Sequence, residues 1–126
     1  MITGLYIAIL ALAQICMIIW IVESRYKEKV VLGTGKSEIL EIKTRIYGNF
    51  IETVPMALLL MLIAEINGAS QFFIHAMGIL IIVSRISHAK GLITPPGYGG
   101  FRKIGMMLMM LTYLIGAALG IFMFLS

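Results

Sequence analysis

The stretch RIYGNFIETVP, residues 45–55, places a cation, an amide and an acid at the start of a strongly apolar run. At about 100° per residue, Arg45, Asn49 and Glu52 fall within roughly 60° of one another and form one stripe on a helix. Glu52 lies on the order of 10 Å beyond Arg45 along such a helix. An ionisable side chain at that depth in a membrane costs a few kcal/mol unless it faces a partner or a wet cavity. The stripe therefore predicts a site for a polar ligand.

Further cations are predicted at the same level on the other apolar segments. In SRISHAK, Arg85 and His88 are three residues apart and share a helix face. Arg25 follows the first apolar segment, and Arg102 precedes the fourth. Arginine binds carboxylates through two hydrogen bonds, and Glu52 would hold an ammonium group. The constellation therefore suits a small ligand with two carboxylates and an ammonium.

Glutathione has this charge pattern, together with a thiol of pKa about 8.5 that an adjacent arginine would lower. The charge pattern alone does not separate glutathione from other peptides or from lipid head groups. Two alternatives also stay open. In the first, Arg25 and Arg102 are interfacial residues whose side chains extend toward water. In the second, Arg45 and Glu52 form an internal ion pair that fixes helix packing.

The remaining polar and sulfur-containing residues predict structural roles. His75 has no charged neighbour at helical spacing, and Glu65 closes the second segment, where we expect it to be solvated. The run MMLMM, residues 106–110, is typical of adaptable packing, since thioethers alone would suit only soft copper. Cys16 is the single cysteine, which excludes disulfide frameworks and cysteine metal clusters. No metal is expected.

The composition indicates an integral membrane protein. Hydrophobic residues make up 60% of the 126-residue chain and charged residues only 13%, with a mean hydropathy of +1.02. Soluble domains are about half apolar and a quarter charged. The net charge of +4 is interpreted as a topology signal, and no nucleic-acid partner is expected. Residues 1–126 are predicted to form a single all-α domain.

Apolar segments long enough to cross about 30 Å of hydrocarbon occur four times. No Lys or Arg precedes the first, and its apolar run is too long for a signal peptide, so it is expected to stay in the mature protein. Ser37 is the predicted N-cap of a helix that continues into the second span. The spans are predicted at Thr3–Val22, Ile46–Ile66, Phe72–Ala89 and Ile104–Leu125.

The cations are distributed on one side of these spans. All ten Lys and Arg residues fall in or beside the connections 23–44 and 91–103, whereas the turn NGAS, residues 67–70, has none. Because cytoplasmic loops are enriched in Lys and Arg, loops 23–44 and 91–103 are predicted to be cytoplasmic. Both termini are predicted to lie outside.

RIYGNFIETVP resembles the signature Arg-x-x-x-Asn-x-x-Glu-x-x-Pro of the membrane-associated proteins in eicosanoid and glutathione metabolism, the MAPEG family. This family includes microsomal glutathione transferases, leukotriene C4 synthase, microsomal prostaglandin E synthase and the five-lipoxygenase-activating protein. The stretches ESRYKEKVVLGTG, SRISHAKG and GGFRKIGM extend the resemblance over nearly the whole chain. The short form of this chain resembles the bacterial branch of the family, which implies that the protein lies in an inner or plasma membrane.

The resemblance implies a homotrimer of four-helix bundles, with glutathione bound between neighbouring subunits near the cytoplasmic face. Arg25 would reach in from the adjacent subunit, and Arg85 would support His88. Arg102 would be the catalytic residue that stabilises the thiolate. The glutathione-binding residues carried over by matching position are Arg25, Arg45, Asn49, Glu52, Arg85 and His88.

The implied function is that of a glutathione transferase or glutathione-dependent peroxidase, acting in detoxification on lipophilic electrophiles or hydroperoxides that enter from the bilayer. Glutathione would be a co-substrate. Leu92, Lys103 and Met106 stand where several family members have tyrosine or serine, which argues against prostaglandin or leukotriene chemistry. The alternative function is non-catalytic binding of a lipid or glutathione, as in the five-lipoxygenase-activating protein.

Overall fold

Four long helices make up the described chain, so the predicted all-α class is confirmed. The computed structural model describes residues 1–94 and 99–126. Within them each helix is long and apolar enough to cross a membrane. The helices are α1 (Ile2–Glu28), α2 (Glu38–Ile66), α3 (Gln71–Ile93) and α4 (Gly100–Leu125).

The helices continue beyond the predicted spans at one end of the bundle. We call it the basic end, because all the Lys and Arg residues lie in the connection 29–37 or in the parts of the helices at that end, namely the ends of α1 and α3 and the starts of α2 and α4. Helix α1 continues through Arg25 to Glu28, and α2 already begins at Glu38. Hydropathy marks only the residues that suit hydrocarbon, whereas charged residues such as Glu and Lys are good helix formers beyond it. Of the predicted loop 91–103, residues 95–98 lie outside the described residues.

The connection between α1 and α2 is short and fixed by defined contacts. The Ser37 hydroxyl accepts a hydrogen bond from the Leu40 amide at 3.2 Å, so the predicted N-cap is confirmed. Lys29 ends α1 in the left-handed conformation, with φ 54°. Lys43 joins α2 to α1, since its Nζ donates to the Trp20 carbonyl at 3.3 Å and to the Ser24 hydroxyl. These contacts hold the charged ends of α1 and α2 together.

Helices α3 and α4 approach each other closely at glycines. An added Cβ at Gly105 would lie 2.6 Å from the His88 amide nitrogen and 2.7 Å from the Ser84 carbonyl oxygen. Gly91 lies equally tightly against the backbone of Arg102. The Ser84 hydroxyl donates to the Gly105 carbonyl at 2.8 Å. Small residues permit such close packing in membranes, and here they bring the start of α4 against the end of α3.

The apolar core lies along α2, which contacts all three other helices. Helix α1 is mostly exposed, as expected for a surface that meets lipid or another subunit. The central buried residues are Tyr6, Leu10, Phe50, Val54, Ala57, Met61, Ala64, Ile74, Met77, Ile81 and Met109.

At the opposite end, Glu65 is not simply solvated, and that prediction was wrong. Its carboxylate accepts hydrogen bonds from the amides of Ile2 and Thr3, the latter at 2.8 Å. The first amides of a helix lack partners within the helix, and its N-terminus favours negative charge. Glu65 therefore attaches the start of α1 to α2. His75 has the expected structural contact, a 3.0 Å hydrogen bond between its Nδ1 and the Tyr6 hydroxyl.

Candidate functional site

A polar cavity of about 480 Å³ lies at the basic end, between α2, α3, α4 and the 29–37 connection. Its volume falls in the range of small-molecule sites, about 300–1,000 Å³. Five of the seven predicted site residues line it, from three different helices. The lining consists of Thr34, Glu41, Thr44, Arg45, Gly48, Asn49, Glu52, His88 and Arg102. We refer to it below as the polar cavity.

The predicted stripe on α2 forms one wall of the polar cavity. Arg45 and Glu52 are exposed, and Asn49 between them is half-buried. Among residues 1–94 and 99–126, no ion pair joins Arg45 to Glu52, so the structure does not support the internal ion pair interpretation. Both charges therefore face the cavity without neutralising each other.

The same face of α2 extends one turn further toward Glu38 than the motif indicated. Glu41 and Thr44 also line the polar cavity, at positions four and one before Arg45. Their spacing matches the helical period, so it is a signal that the sequence contains. Gly48 lies between Arg45 and Asn49, and a Cβ added there would meet no described atom within 4 Å. The space in front of Gly48 is therefore open.

Arg85 lies behind the polar cavity and does not line it. The side chain is buried, and its guanidinium donates to Asn49 Oδ1, to the Thr53 hydroxyl at 3.0 Å and to the Ser84 hydroxyl at 2.7 Å. The contact with Asn49 orients that amide, whose Nδ2 lies 3.7 Å from the Met106 sulfur. Within this chain, Arg85 therefore acts on the cavity through Asn49.

Thr53 and Tyr113 extend this buried polar network, and neither was predicted from the sequence. The Thr53 hydroxyl donates to the Asn49 carbonyl at 2.7 Å. The Tyr113 hydroxyl donates to the Thr53 carbonyl at 2.8 Å. Thr53 follows Asn49 by four residues, which is a recognisable spacing. Nothing local indicates Tyr113, because its contact depends on the packing of α4 against α2.

His88 and Arg102 form the wall opposite the stripe. His88 is buried, and its backbone is in close contact with Gly105 of α4. Arg102 lies two residues into α4 and is half-buried at the cavity, whereas the neighbouring Lys103 is exposed and is not part of its lining. The register of α4 therefore places Arg102 at the polar cavity.

Arg25 lies at a different cavity within the single chain. This second space, of about 490 Å³, is also lined by Tyr26, Lys29 and three valines of the α1 end and the connection. The Arg25 guanidinium donates to the Gly33 carbonyl at 2.8 Å and so holds the connection in place. The expected contribution of Arg25 to a neighbouring subunit stays a prediction.

The arrangement can bind a ligand that carries both signs of charge. Arg45 and Arg102 are placed to bind carboxylates, Glu41 and Glu52 are placed to bind an ammonium, and Asn49 offers an amide. Among residues 1–94 and 99–126, no group of three His, Cys, Asp or Glu side chains is placed to hold a metal ion.

Two comparisons with known proteins bear on this chain. The sequence model of the MAPEG family matches residues 3–122. The Inner membrane protein YecN of Escherichia coli strain K12 is 34% identical over 91 residues, which cover 72% of this chain and 70% of the relative. The protein of the same name from Escherichia coli O6:H1 strain CFT073 matches with the same identity and coverage.

Proposed function

This chain belongs to the MAPEG family, as its signature predicts. We therefore propose that it binds glutathione in the polar cavity and uses the thiolate of the bound glutathione as a nucleophile. The substrates would be lipophilic electrophiles or hydroperoxides. The observation that carries the proposal is the convergence of Arg45, Asn49, Glu52, His88 and Arg102, from three helices, on one cavity of about 480 Å³.

The charges of glutathione complement those of the polar cavity. Arg45 would bind a carboxylate, Arg102 would bind the thiolate, and Glu52 would bind the α-ammonium. Arg85 would hold Asn49 in place for a hydrogen bond to the peptide backbone of the ligand. Binding in one place supplies proximity between the thiol and a second substrate. No nucleophile of the protein is needed.

In the proposed reaction, Arg102 stabilises the thiolate and thereby lowers the pKa of the thiol from about 8.5. The thiol proton passes to water. The thiolate then attacks an electrophilic carbon, so that a carbon–sulfur bond forms while the bond to the leaving group breaks. With an aryl chloride, chloride departs and the thioether is the product.

The polar cavity is open on the exposed side of α2, where Arg45 and Glu52 lie. We propose that a homotrimer closes it, with Arg25 of a neighbouring subunit as a further contact to the ligand. The Escherichia coli relative is named an inner membrane protein, and we propose the same membrane for this multi-pass protein. Chemical crosslinking in native membranes tests the trimer: only monomers and dimers at saturating crosslinker would contradict it.

Isothermal calorimetry with glutathione on the purified protein in detergent tests the proposed function. We expect saturable binding of glutathione. An analogue that lacks the α-ammonium is expected to bind more weakly, because Glu52 then has no cation to pair with. The absence of any heat of binding from glutathione, with a folded protein, would contradict the proposal. Binding without thiolate formation would favour the non-catalytic alternative.

A further inference from the structure

The charge of Arg85 has no acidic partner in the part of the chain that the structure describes. The side chain is buried, and all acceptors of its guanidinium are neutral oxygens, those of Asn49, Thr53 and Ser84. The Ser84 hydroxyl gives its own proton to the Gly105 carbonyl and is therefore free to accept from Arg85. A buried charge is costly unless hydrogen bonds satisfy it, so each of these oxygens helps to fix the guanidinium.

Arg85 determines which way the Asn49 amide faces. An arginine side chain has only donors, so the atom of Asn49 that meets its Nη1 is the acceptor Oδ1. The Nδ2 group is thereby turned away from Arg85, toward Met106, whose sulfur lies 3.7 Å away. Asn49 lines the polar cavity, and Arg85 does not. Asn49 therefore offers the cavity an N–H donor, and a ligand group that meets it must be an acceptor.

Thr53 lies at the centre of this arrangement, although it is not part of the cavity lining. Its hydroxyl donates to the Asn49 carbonyl at 2.7 Å and accepts from Arg85 Nη1 at 3.0 Å. Its carbonyl accepts a hydrogen bond from the Tyr113 hydroxyl at 2.8 Å. One threonine thus joins the arginine of α3 and the tyrosine of α4 to the turn of α2 that carries Asn49.

This turn of α2 depends on such contacts because Pro55 follows Thr53 by two residues. Proline has no amide hydrogen, so the Ile51 carbonyl, four residues before it, loses its partner in the helix. A threonine hydroxyl that bonds to the carbonyl four residues earlier also tends to bend a helix. At the level of Asn49, contacts from α3 and α4 therefore supply the support that the helix itself lacks.

We propose that Thr53 is a positioning residue, held by Tyr113, that fixes Arg85 and through it keeps Asn49 oriented as a hydrogen-bond donor toward the ligand. The site accordingly selects a ligand with a hydrogen-bond acceptor, such as a peptide carbonyl oxygen, at that point. The inference rests on the proposed glutathione function. It adds the polarity of one ligand contact and the residues that set it.

The orientation of Asn49 is measured first without glutathione. The chain has only two asparagines, Asn49 and the exposed Asn67, so isotope-labelled asparagine gives nuclear magnetic resonance signals from two side-chain amides. Thr53→Val removes the hydroxyl and should move the Asn49 signal toward that of Asn67, because Arg85 is no longer fixed against Oδ1. Thr53→Ser keeps the hydroxyl and should leave the signal in place.

Thr112→Val is the matched control. The buried Thr112 hydroxyl also donates to the carbonyl four residues earlier, that of Leu108, at 2.9 Å. In the described part of the chain it forms no hydrogen bond with Arg85 or Asn49. Its loss should leave both the Asn49 signal and the affinity for glutathione unchanged.

The calorimetric affinity for glutathione is the second readout. Thr53→Val should lower it about tenfold, as for the loss of a hydrogen bond, and Thr53→Ser should restore it. In an Asn49→Ala background, Thr53→Val should add no further loss, because a positioning residue acts only through the group that it positions. Asn49→Asp keeps an oxygen for Arg85 but replaces the donor, so it should bind glutathione no better than Asn49→Ala.

Tyr113→Phe repeats both measurements if Thr53→Val does not fold, since it removes only the hydroxyl that holds Thr53. An Asn49 signal that stays in place in Thr53→Val, or an equal loss of affinity in the wild-type and Asn49→Ala backgrounds, overturns the inference. So does an Asn49→Asp protein that binds glutathione as tightly as the wild type. A wild type with the expected Asn49 signal that binds no glutathione overturns the proposed function instead.

Discussion

At the scale of single residues, the sequence predicts the site wherever the relevant geometry is local. Arg45, Asn49 and Glu52 share a face because their spacing matches the helical period, and all three line the polar cavity. Tertiary packing decides the rest. Arg85 of α3 donates a hydrogen bond to Asn49 of α2, and Thr34 of the 29–37 connection lines the polar cavity. Neither contact has a local sequence signal.

Glu52→Gln tests whether the acid serves the ligand or the fold. Since no ion pair joins Glu52 to Arg45 among the described residues, removal of the charge should leave the unfolding temperature nearly unchanged. Glutathione affinity should fall by about tenfold, a loss of about 1.4 kcal/mol, because the ammonium loses its partner. Calorimetry and thermal unfolding in detergent measure the two effects.

Glu23→Gln is the matched control, since Glu23 is exposed and lies outside the polar cavity. It should change neither quantity. A Glu52→Gln protein that unfolds more easily and binds glutathione as tightly as the wild type would show that the residue is structural.

At the scale of helices, hydropathy predicts the number and order of the spans but not their ends or contacts. The four apolar segments correspond to α1–α4. The helices extend further at the basic end because their charged residues remain good helix formers in water. The close approach of α4 to α3 at Gly91 and Gly105 could not be predicted, because hydropathy does not indicate which face of an apolar helix meets a neighbour.

Gly105→Ala tests whether this close approach positions the site. The added methyl would clash with the backbone at His88 and Ser84, 2.6 and 2.7 Å away. We expect a loss of about 1–3 kcal/mol of stability, as for other overpacked positions. Arg102 should move relative to His88, so turnover should fall as well. Thermal unfolding and activity assays measure these changes.

Gly120→Ala is the control, because a Cβ at that position on the same helix would meet no described atom within 4 Å. It should preserve activity and stabilise α4 slightly, since alanine is the better helix former by about 1 kcal/mol. Equal behaviour of the two variants would contradict the role given to Gly105.

At the scale of the whole molecule, composition and the signature motif predict a membrane protein of the MAPEG family, and the family is confirmed. Orientation and assembly are not properties of a single chain's packing, so both stay predictions. In one chain the polar cavity is open on the side where Arg45 and Glu52 are exposed. This is the arrangement expected if a neighbouring copy completes it.

Reporter fusions test the orientation. Because the Lys and Arg residues lie at one end of the bundle, a reporter after Ser126 should indicate the outside and one inserted at Gly35 should indicate the cytoplasm. A cytoplasmic location of the fusion at Ser126 would contradict the predicted orientation, with both termini outside.

The most direct measurement of the central claim is the ultraviolet absorbance of the thiolate when glutathione is added near neutral pH. The thiol of free glutathione is mostly protonated at that pH. Each unit by which Arg102 lowers the thiol pKa means that Arg102 stabilises the thiolate over the thiol by about 1.4 kcal/mol. We expect thiolate absorbance from the wild type and from Lys103→Ala. We expect none from Arg102→Ala, which should still bind glutathione by calorimetry. Thiolate absorbance and turnover that persist in the double variant Arg102→Ala with Lys103→Ala would contradict the account.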